Sequence, residues 1–170
     1  MAAVVIRRLE PDDLPAYKAL RDETLARYPQ AFTSDPAPER SAQSYRSRLG
    51  LERPEGGEFT LGAWVGADLV GAITCERDQR TKVRHIGHLI GMMVRADTQR
   101  GGVGRALLDA CIAEARAADG LTMLTLTVTA GNAPATHLYE SAGFIRCGSL
   151  PRAIRVDGVY HAKEQMALAL

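Results

Sequence analysis

Three glycines within four positions open a helix-like segment of this chain, in the run Gln99-Arg100-Gly101-Gly102-Val103-Gly104. A turn that opens a helix leaves several backbone N–H groups without partners, and the helix dipole favours negative charge there. Glycine removes the side chains that would keep a large anion away from this backbone. The run therefore predicts a pyrophosphate seat built from the amides of residues 100 to 105, to which Arg100 and Arg105 can add charge. The alternative is an ordinary strand-to-helix turn, which glycines also serve.

Two common nucleotide-binding patterns do not fit this run. A Walker loop needs lysine and then serine or threonine after its last glycine, and neither follows Gly104. A dinucleotide fingerprint needs a third small residue where Leu107 stands, and an acidic residue near the end of the next strand. The next strand-like segment, 124–129, contains only apolar residues and threonine. Both of these patterns are therefore excluded.

A second motif lies downstream, in residues 132–144, which read Asn-Ala-Pro-Ala-Thr-His-Leu-Tyr-Glu-Ser-Ala-Gly-Phe. This segment is similar to the Asn-x-x-Ala-x-x-Leu-Tyr…Gly-Phe helix of the GNAT superfamily of acyl-CoA-dependent N-acetyltransferases. In the same way, Gln99-x-x-Gly102-x-Gly104 resembles the Gln/Arg-x-x-Gly-x-Gly/Ala pyrophosphate loop of that superfamily. The resemblance spans about residues 60 to 170 and is weaker over the N-terminal strand and helix. It implies the GNAT fold, acetyl-CoA as co-substrate, and acetyl transfer to a primary amine by direct attack in a ternary complex.

The resemblance also implies roles for individual residues. Tyr139 aligns with the tyrosine that often protonates the leaving CoA sulfur in the superfamily, and a phenol with an ordinary pKa near 10 carries its proton at pH 7. The alternative is a tyrosine that packs its helix against the sheet. Met93 and Val94 would hold the pantetheine arm, with a backbone N–H there facing the acyl carbonyl. Asn132 would either bond the pantetheine or cap the start of its helix. The full set of predicted cofactor-binding residues is Met93, Val94, Gln99, Arg100, Gly101, Gly102, Val103, Gly104, Arg105 and Asn132.

The base that accepts the amine proton is predicted to be His88. It lies on the strand-like segment before the glycine-rich run, where several superfamily members use a glutamate or histidine for this purpose. Histidine titrates near neutral pH, which suits the role. The alternative for His88 is a structural hydrogen bond. His85 is a further candidate for the base, whereas His161, near the last strand, is a candidate for lining the acceptor site. The four histidines, of which His137 is the last, show no metal-ligand spacing with a third partner, so no metal is expected.

The acceptor is not specified by the sequence. Many superfamily members carry an acidic residue after a tyrosine in the last strand, whereas here Tyr160 is followed by His161-Ala162-Lys163. The segments at 11–49, which shape the acceptor pocket in the superfamily, match nothing specific. A small amine, an amino acid and a protein amino group all stay open as acceptors, as do O-acyl transfer and a longer acyl donor.

A second function hypothesis is a non-catalytic acyl-CoA-binding module with a sensing or regulatory role. Such a module needs the pyrophosphate seat but neither a proton donor nor a base. The presence of both Tyr139 and His88 therefore favours catalysis.

Length and charge narrow the class of protein further. A chain of 170 residues with a net charge of +1 is expected to form one domain, 1–170, without the basic surface that nucleic-acid binding requires. Its three cysteines are scattered and show no Cys-x-x-Cys spacing, which predicts reduced thiols in a cytoplasmic protein. The sequence shows no long apolar run, so neither a membrane span nor a signal peptide is expected. A homodimer is compatible with these features, and the oligomeric state stays open.

Strand and helix patterns follow one another in the order β-α-α-β-β-β-α-β-α-β-β. This order predicts the α/β class (α+β mixed), as a mixed, mostly antiparallel twisted sheet of about six to seven strands flanked by about four helices. The segment 86–94 is largely apolar, as expected for a strand buried on both faces. Apolar residues at 103, 107, 111 and 115 predict an amphipathic helix. The predicted strands are 4–9, 59–65, 69–76, 86–94, 121–129, 144–150 and 159–168, and the predicted helices are 11–28, 39–49, 103–118 and one within the second motif.

Overall fold

The computed structural model describes residues 3–52 and 56–170, which form seven strands and three α-helices. The predicted mixed α/β fold is confirmed, with three helices in place of about four. The strands are β1 (Val4–Arg8), β2 (Phe59–Val65), β3 (Asp68–Arg77), β4 (Ile86–Val94), β5 (Met123–Thr129), β6 (Ile145–Val156) and β7 (Val159–Ala169). The helices are α1 (Leu14–Arg27), α2 (Val103–Ala117) and α3 (Ala133–Ser141).

The strands form one sheet in the order β1-β2-β3-β4-β5-β7-β6. Among the described strands, β4 and β5 pair in parallel, whereas every other neighbouring pair is antiparallel. The exchange of β6 and β7 in this order leaves β6 at the edge of the sheet.

The sheet separates two hydrophobic cores. On one face, here called the α2 face, Leu107 of α2 and Leu124 of β5 are fully buried in the larger core. On the other, the α1 face, Tyr17 of α1 packs in a smaller core with Ala72 and Met93. Because side chains alternate along a strand, the threonines of β5 lie on the α1 face while its leucines face α2. The predicted apolar stripe of α2 is buried at all four positions.

The parallel pair opens into a gap. Within the described residues, Ile86–His88 of β4 pair with Met123–Thr125 of β5. Beyond this point β4 pairs only with β3, and β5 pairs only with β7. The two strands therefore diverge toward their C-terminal ends, and the space between them is here called the β4–β5 gap. β4 also carries a bulge at Gly91, which has a φ of +58 where the register with β3 shifts.

The prediction of a helix at 39–49 is wrong. A 3₁₀ turn at Ala42–Tyr45 and further turns occupy this segment. Tyr45 and Leu49 are its buried residues, and the remaining side chains are polar or largely exposed. Two anchoring side chains one turn apart fix the position of the segment, but they are too few to stabilise a short helix.

Several element boundaries also differ from the prediction. The first helix is preceded by a 3₁₀ turn at Pro11–Asp13, so that α1 itself begins at Leu14. β6 continues through Pro151 to Val156, which is tolerated because an edge strand does not need every N–H group for pairing. β4 has its predicted bounds but is not buried on both faces, since His88 is exposed.

All three cysteines are free thiols. Cys75 and Cys111 are buried, and burial raises the pKa of both thiols, so that neither is a ready nucleophile. None of the described helices combines the length and the apolar character needed to cross a lipid bilayer.

Candidate active site

The glycine-rich run forms the turn that links β4 to α2. Arg100 and Gly102 adopt left-handed conformations with φ of +74 and +76, and Gly102 directly precedes the first residue of α2. Of the amides predicted at residues 100 to 105, that of Gly101 donates to the Thr98 carbonyl oxygen over 3.3 Å and is not free. In the described part of the chain, the backbone N–H groups of residues 102 to 105 have no hydrogen-bond partner, as expected in the first turn of a helix. These donors lie at the positive end of the helix dipole.

The space in front of this turn is open. A Cβ atom added to Gly102 would meet no atom within 4 Å. One added to Gly104 would lie 3.5 Å from Met92 Cε and 3.6 Å from Leu138 Cδ2, so the start of α2 packs between the end of β4 and α3. Where the sequence predicts a pyrophosphate seat, the structure therefore has unpaired donors without side-chain cover.

The Gln99 side chain holds this turn in place. Its amide nitrogen donates to the Val94 carbonyl oxygen over 3.1 Å and to the Tyr28 hydroxyl over 3.2 Å. These bonds connect the turn to the last residue of β4 and to the end of α1. The position of Gln99 is thus explained by support of the turn.

The two arginines of the run differ in their surroundings. Arg105 Nε donates to both carboxylate oxygens of Asp109 over 2.8 and 2.9 Å, and its Nη1 donates to the Ser141 hydroxyl over 3.2 Å. These bonds tie α2 to α3 and occupy the guanidinium. The Arg100 side chain is exposed and has no ionic partner among the described residues.

Tyr139 lies on the buried side of α3, on the α2 face. Its ring meets that of Phe144 edge-on at 5.9 Å, and burial raises the pKa of its hydroxyl to about 12. The hydroxyl has no hydrogen-bond partner in the described part of the chain.

Asn132 caps α3. Its side-chain oxygen accepts a long hydrogen bond, 3.4 Å, from the backbone N–H of Ala135, and Pro134 occupies the first turn of the helix. Gly143 follows the helix with a φ of +100, the left-handed conformation that is typical of glycine at a helix C-terminus.

His88 stands where the β4–β5 gap begins. It is the last residue of β4 that pairs with β5, and its Nδ1 lies 2.5 Å from the hydroxyl of the opposite residue, Thr125. On the β3 side it is paired with Glu76. Its side chain is exposed on the α1 face, opposite to the face that holds Tyr139.

The other histidines lie apart from this point. His85 is exposed and precedes the first residue of β4, and His137 is exposed on α3. His161 is half-buried on β7, and its Nε2 is enclosed without a partner. The described residues contain no group of three or more histidine, cysteine or acidic side chains that could hold a metal ion.

Met93 and Val94 form the rim of the β4–β5 gap just past the bulge. Met93 is buried in the α1-face core, whereas Val94 packs against the α2-face core. Both residues pair with β3 on one side and have no partner strand on the β5 side within the described chain. Because backbone groups alternate in direction along a strand, part of the β4 backbone here faces the gap.

Two cavities on the α1 face were not predicted from the sequence. The smaller, about 50 Å³, lies beside Gly91 and is here called the bulge cavity; it is lined by Tyr17, Arg21, Ser34 and Arg48 among others. The larger is a groove of about 490 Å³ that includes Thr127 and Lys163. A signal for the first was present in the sequence, since Arg21 interrupts the apolar stripe of α1 at a core-facing position.

Comparisons with known proteins agree with this geometry. The sequence profile described as the acetyltransferase (GNAT) family matches residues 17–144. The L-amino acid N-acetyltransferase AaaT of Escherichia coli is 30% identical over 145 residues, which cover 85% of this chain and 84% of that protein. Mycothiol acetyltransferase of Propionibacterium freudenreichii is 31% identical over 137 residues, covering 78% of this chain but 40% of the relative. Among solved structures, the acetyltransferase of the GNAT family from Streptococcus pneumoniae is 27% identical with a TM-score of 0.89, over 99% of this chain and 100% of that one.

Proposed function

Because the chain belongs to the acetyltransferase (GNAT) family, we propose that it transfers the acetyl group of acetyl-CoA to a primary amine. The observation that carries this proposal is the row of unpaired amides at the N-terminus of α2, beside the end of β4 where the gap opens. A diphosphate is held by several converging N–H donors, and side chains do not screen these. Both curated relatives are named as acetyltransferases, which supports the same class of reaction.

The residues present fit the parts of this co-substrate. The amides of residues 102 to 105 bind the diphosphate, and the exposed Arg100 adds positive charge. The pantetheine arm lies in the β4–β5 gap along Met93 and Val94, where the β4 backbone lacks a partner strand. Asn132, at the start of α3, is available to this arm through the part of its amide that the helix cap does not use.

Two side chains move protons on opposite faces of the sheet. When bound, acetyl-CoA supplies a thioester, so that the amine nitrogen forms a bond to the acetyl carbon as the carbon–sulfur bond breaks. His88 accepts the proton that the amine loses, with its Nδ1 held by Thr125 and its Nε2 directed to the amine or to a bridging water. Tyr139 donates a proton to the departing sulfur, and its raised pKa keeps the phenol protonated at neutral pH.

The alternative, an acyl-CoA sensor without catalysis, needs only the diphosphate seat. A protonated phenol on the α2 face and an exposed imidazole on the α1 face favour the enzyme. The two relatives are named for different acceptors, so their names do not select one.

The experiment combines calorimetry with CoA and an assay of thiol release from acetyl-CoA across a panel of primary amines. The panel contains amino acids, amino acid amides, polyamines and peptides with a free N-terminus. We expect CoA binding and acceptor-dependent thiol release with at least one class. Binding without release for any amine would support the sensor, and absence of CoA binding would refute the proposed seat.

A further inference from the structure

Arg21 is a buried cation on the acceptor side of the sheet. Arg21 is only 8% exposed, and its guanidinium carbon lies 5.1 Å from the centroid of the Tyr45 ring. Its hydrogen bonds in the described part of the chain are made with tyrosine hydroxyls: a long contact of 3.5 Å from Nη1 to the Tyr45 hydroxyl, and a contact with Tyr17. None of the ion pairs formed by the described residues includes it. Burying a charge is costly unless it is paired and hydrogen-bonded.

A second buried arginine shows how this fold satisfies such a group when the role is structural. Arg77 is 7% exposed, and its Nε and Nη1 donate to the carbonyl oxygens of Arg84 and Gly56. Arg77 therefore connects two loops through hydrogen bonds to their backbone carbonyl oxygens. Arg21 has no comparable set of acceptors, and most of its donors are left for something outside the described chain.

The Arg21 side chain lines the bulge cavity. The same cavity is lined by Arg48, Tyr17 and Ser34, which are all hydrogen-bond donors, and by Gly91 of the β4 bulge. A Cβ added to Gly91 would lie 3.8 Å from the Tyr17 hydroxyl, so the donors reach the bulge itself. A volume of about 50 Å³ accommodates a small polar group, not a whole acceptor molecule.

The charge around the cavity is positive. Two acidic side chains outside the cavity lining interact with these arginines: Asp22 with Arg21, and Glu76 with Arg48, whose Nε lies 4.0 Å from the Glu76 carboxylate. Two guanidiniums thus face a space that holds no carboxylate from the described chain. The planar fork of arginine matches the two oxygens of a carboxylate, and such pairs are stronger than neutral hydrogen bonds.

We propose that the bulge cavity binds a carboxylate of the acceptor through Arg21 and Arg48, so that the acceptor is a small amino acid. This inference rests on the proposed acetyl transfer and names its substrate class. Ile90 lines the cavity, and His88 is the next residue on the same face of β4, about 7 Å along the strand. An amine separated from its carboxylate by one or two carbons therefore lies between the cavity and the base. The amino group of a protein N-terminus has no main-chain carboxylate at this distance.

The first test uses the unaltered protein and three matched acceptors: an amino acid, its primary amide, and the amine that lacks the carboxyl group. We expect kcat/KM for the free acid to exceed that of the other two by about ten- to a hundredfold, the usual effect of one charge-assisted pair. Equal or better use of the amide or of a peptide would overturn the inference while leaving acetyl transfer intact. If no primary amine of the panel described above is acetylated, the proposed acetyl transfer itself is refuted.

The second test removes the guanidiniums. In Arg21→Gln we expect KM for the amino acid to rise about tenfold or more, with a smaller change in kcat, unchanged affinity for CoA, and loss of the preference for acid over amide. Arg48→Gln should also raise KM, but by less, because the Arg48 side chain is half-exposed. This variant keeps the test decisive if Arg21→Gln does not fold. Arg46→Gln removes the same charge from a comparably exposed side chain that does not line the cavity; it is the control and should leave KM unchanged. Retention of the preference in both Arg21→Gln and Arg48→Gln would overturn the proposal.

Discussion

The two faces of the sheet bind by different means. On the α2 face, the candidate diphosphate seat consists of backbone amides in a glycine-rich turn, so recognition depends on the conformation of one short segment. On the α1 face, the bulge cavity is assembled from side chains of α1, the following loop, the turn near Arg48, and β4. A backbone seat suits the part of a ligand that is the same in every reaction of this type. A side-chain cavity suits the part that distinguishes one acceptor from another.

The proposed proton transfers follow the same division. Tyr139 is placed on the α2 face with the co-substrate, and His88 is placed on the α1 face with the acceptor. The β4–β5 gap lies between the two faces, beyond the last paired residues of β4 and β5. Substitutions on either side should therefore separate effects on the co-substrate from effects on the acceptor.

The largest effect is expected for Tyr139→Phe, which removes the phenol oxygen and keeps the edge-on packing with Phe144. We expect kcat to fall by about a hundred- to ten-thousand-fold, with unchanged CoA affinity by calorimetry. Because burial raises the pKa of this phenol to about 12, the difference should persist from neutral to mildly alkaline pH. Turnover equal to that of the unaltered protein would reject the role of proton donor.

Next in size is His88→Gln, which can still bond Thr125 but cannot accept a proton. We expect kcat/KM to drop by about a hundredfold while CoA binding stays the same. His85→Gln is the matched control, since His85 is exposed outside the sheet, and it should retain full activity. Equal losses in the two variants would show that His88 has no special part in the reaction.

A smaller effect is expected at the diphosphate seat in Gly102→Ala. The added Cβ projects into the open space before the amides, and we expect CoA affinity to fall about tenfold. The left-handed φ of +76 also makes alanine cost about 1 to 2 kcal/mol of stability at this position. Gly66→Ala in the β2–β3 turn has a similar φ of +60 and equally open space, so it should lose stability without losing CoA affinity. Chemical denaturation and calorimetry on both variants make the comparison.

The smallest effect is expected for Asn132, which caps the start of α3 and is also a candidate to bind the pantetheine arm. Asn132→Ala should lower the free energy of unfolding by about 1 kcal/mol, because the cap of α3 is lost. Asn132→Ser keeps a cap and should retain stability. If Asn132→Ser also retains CoA affinity, the residue acts as a cap alone; a loss of affinity in a fully stable Asn132→Ser would identify contact with the co-substrate.

Features that depend on local sequence were predictable here. The bounds of β2 and β4, the buried stripe of α2 and the caps of α3 follow from periodicity and from residues with a restricted set of conformations. The glycine-rich turn belongs to the same class, because its unpaired amides result from helix geometry alone.

Features that arise from pairing between distant segments were not predictable. The β4–β5 gap depends on where parallel pairing stops, and nothing in residues 86–94 marks that point apart from the bulge glycine. The segment at 39–49 shows apolar residues at helical spacing, yet Tyr45 and Leu49 are anchors of an irregular turn. The sequence shows Arg21 as a charged residue in the apolar stripe of α1, but the unpaired N–H groups of its guanidinium become apparent only from its neighbours in the structure.

The short parallel ladder has one more consequence. Three residue pairs join β1–β4 to β5–β7, so the sheet resembles two half-sheets that meet at a narrow seam. An extended pantetheine chain in the gap would take the place of a missing strand and engage main-chain groups of both halves. Loading with the co-substrate should then connect the two halves of the sheet and raise the melting temperature.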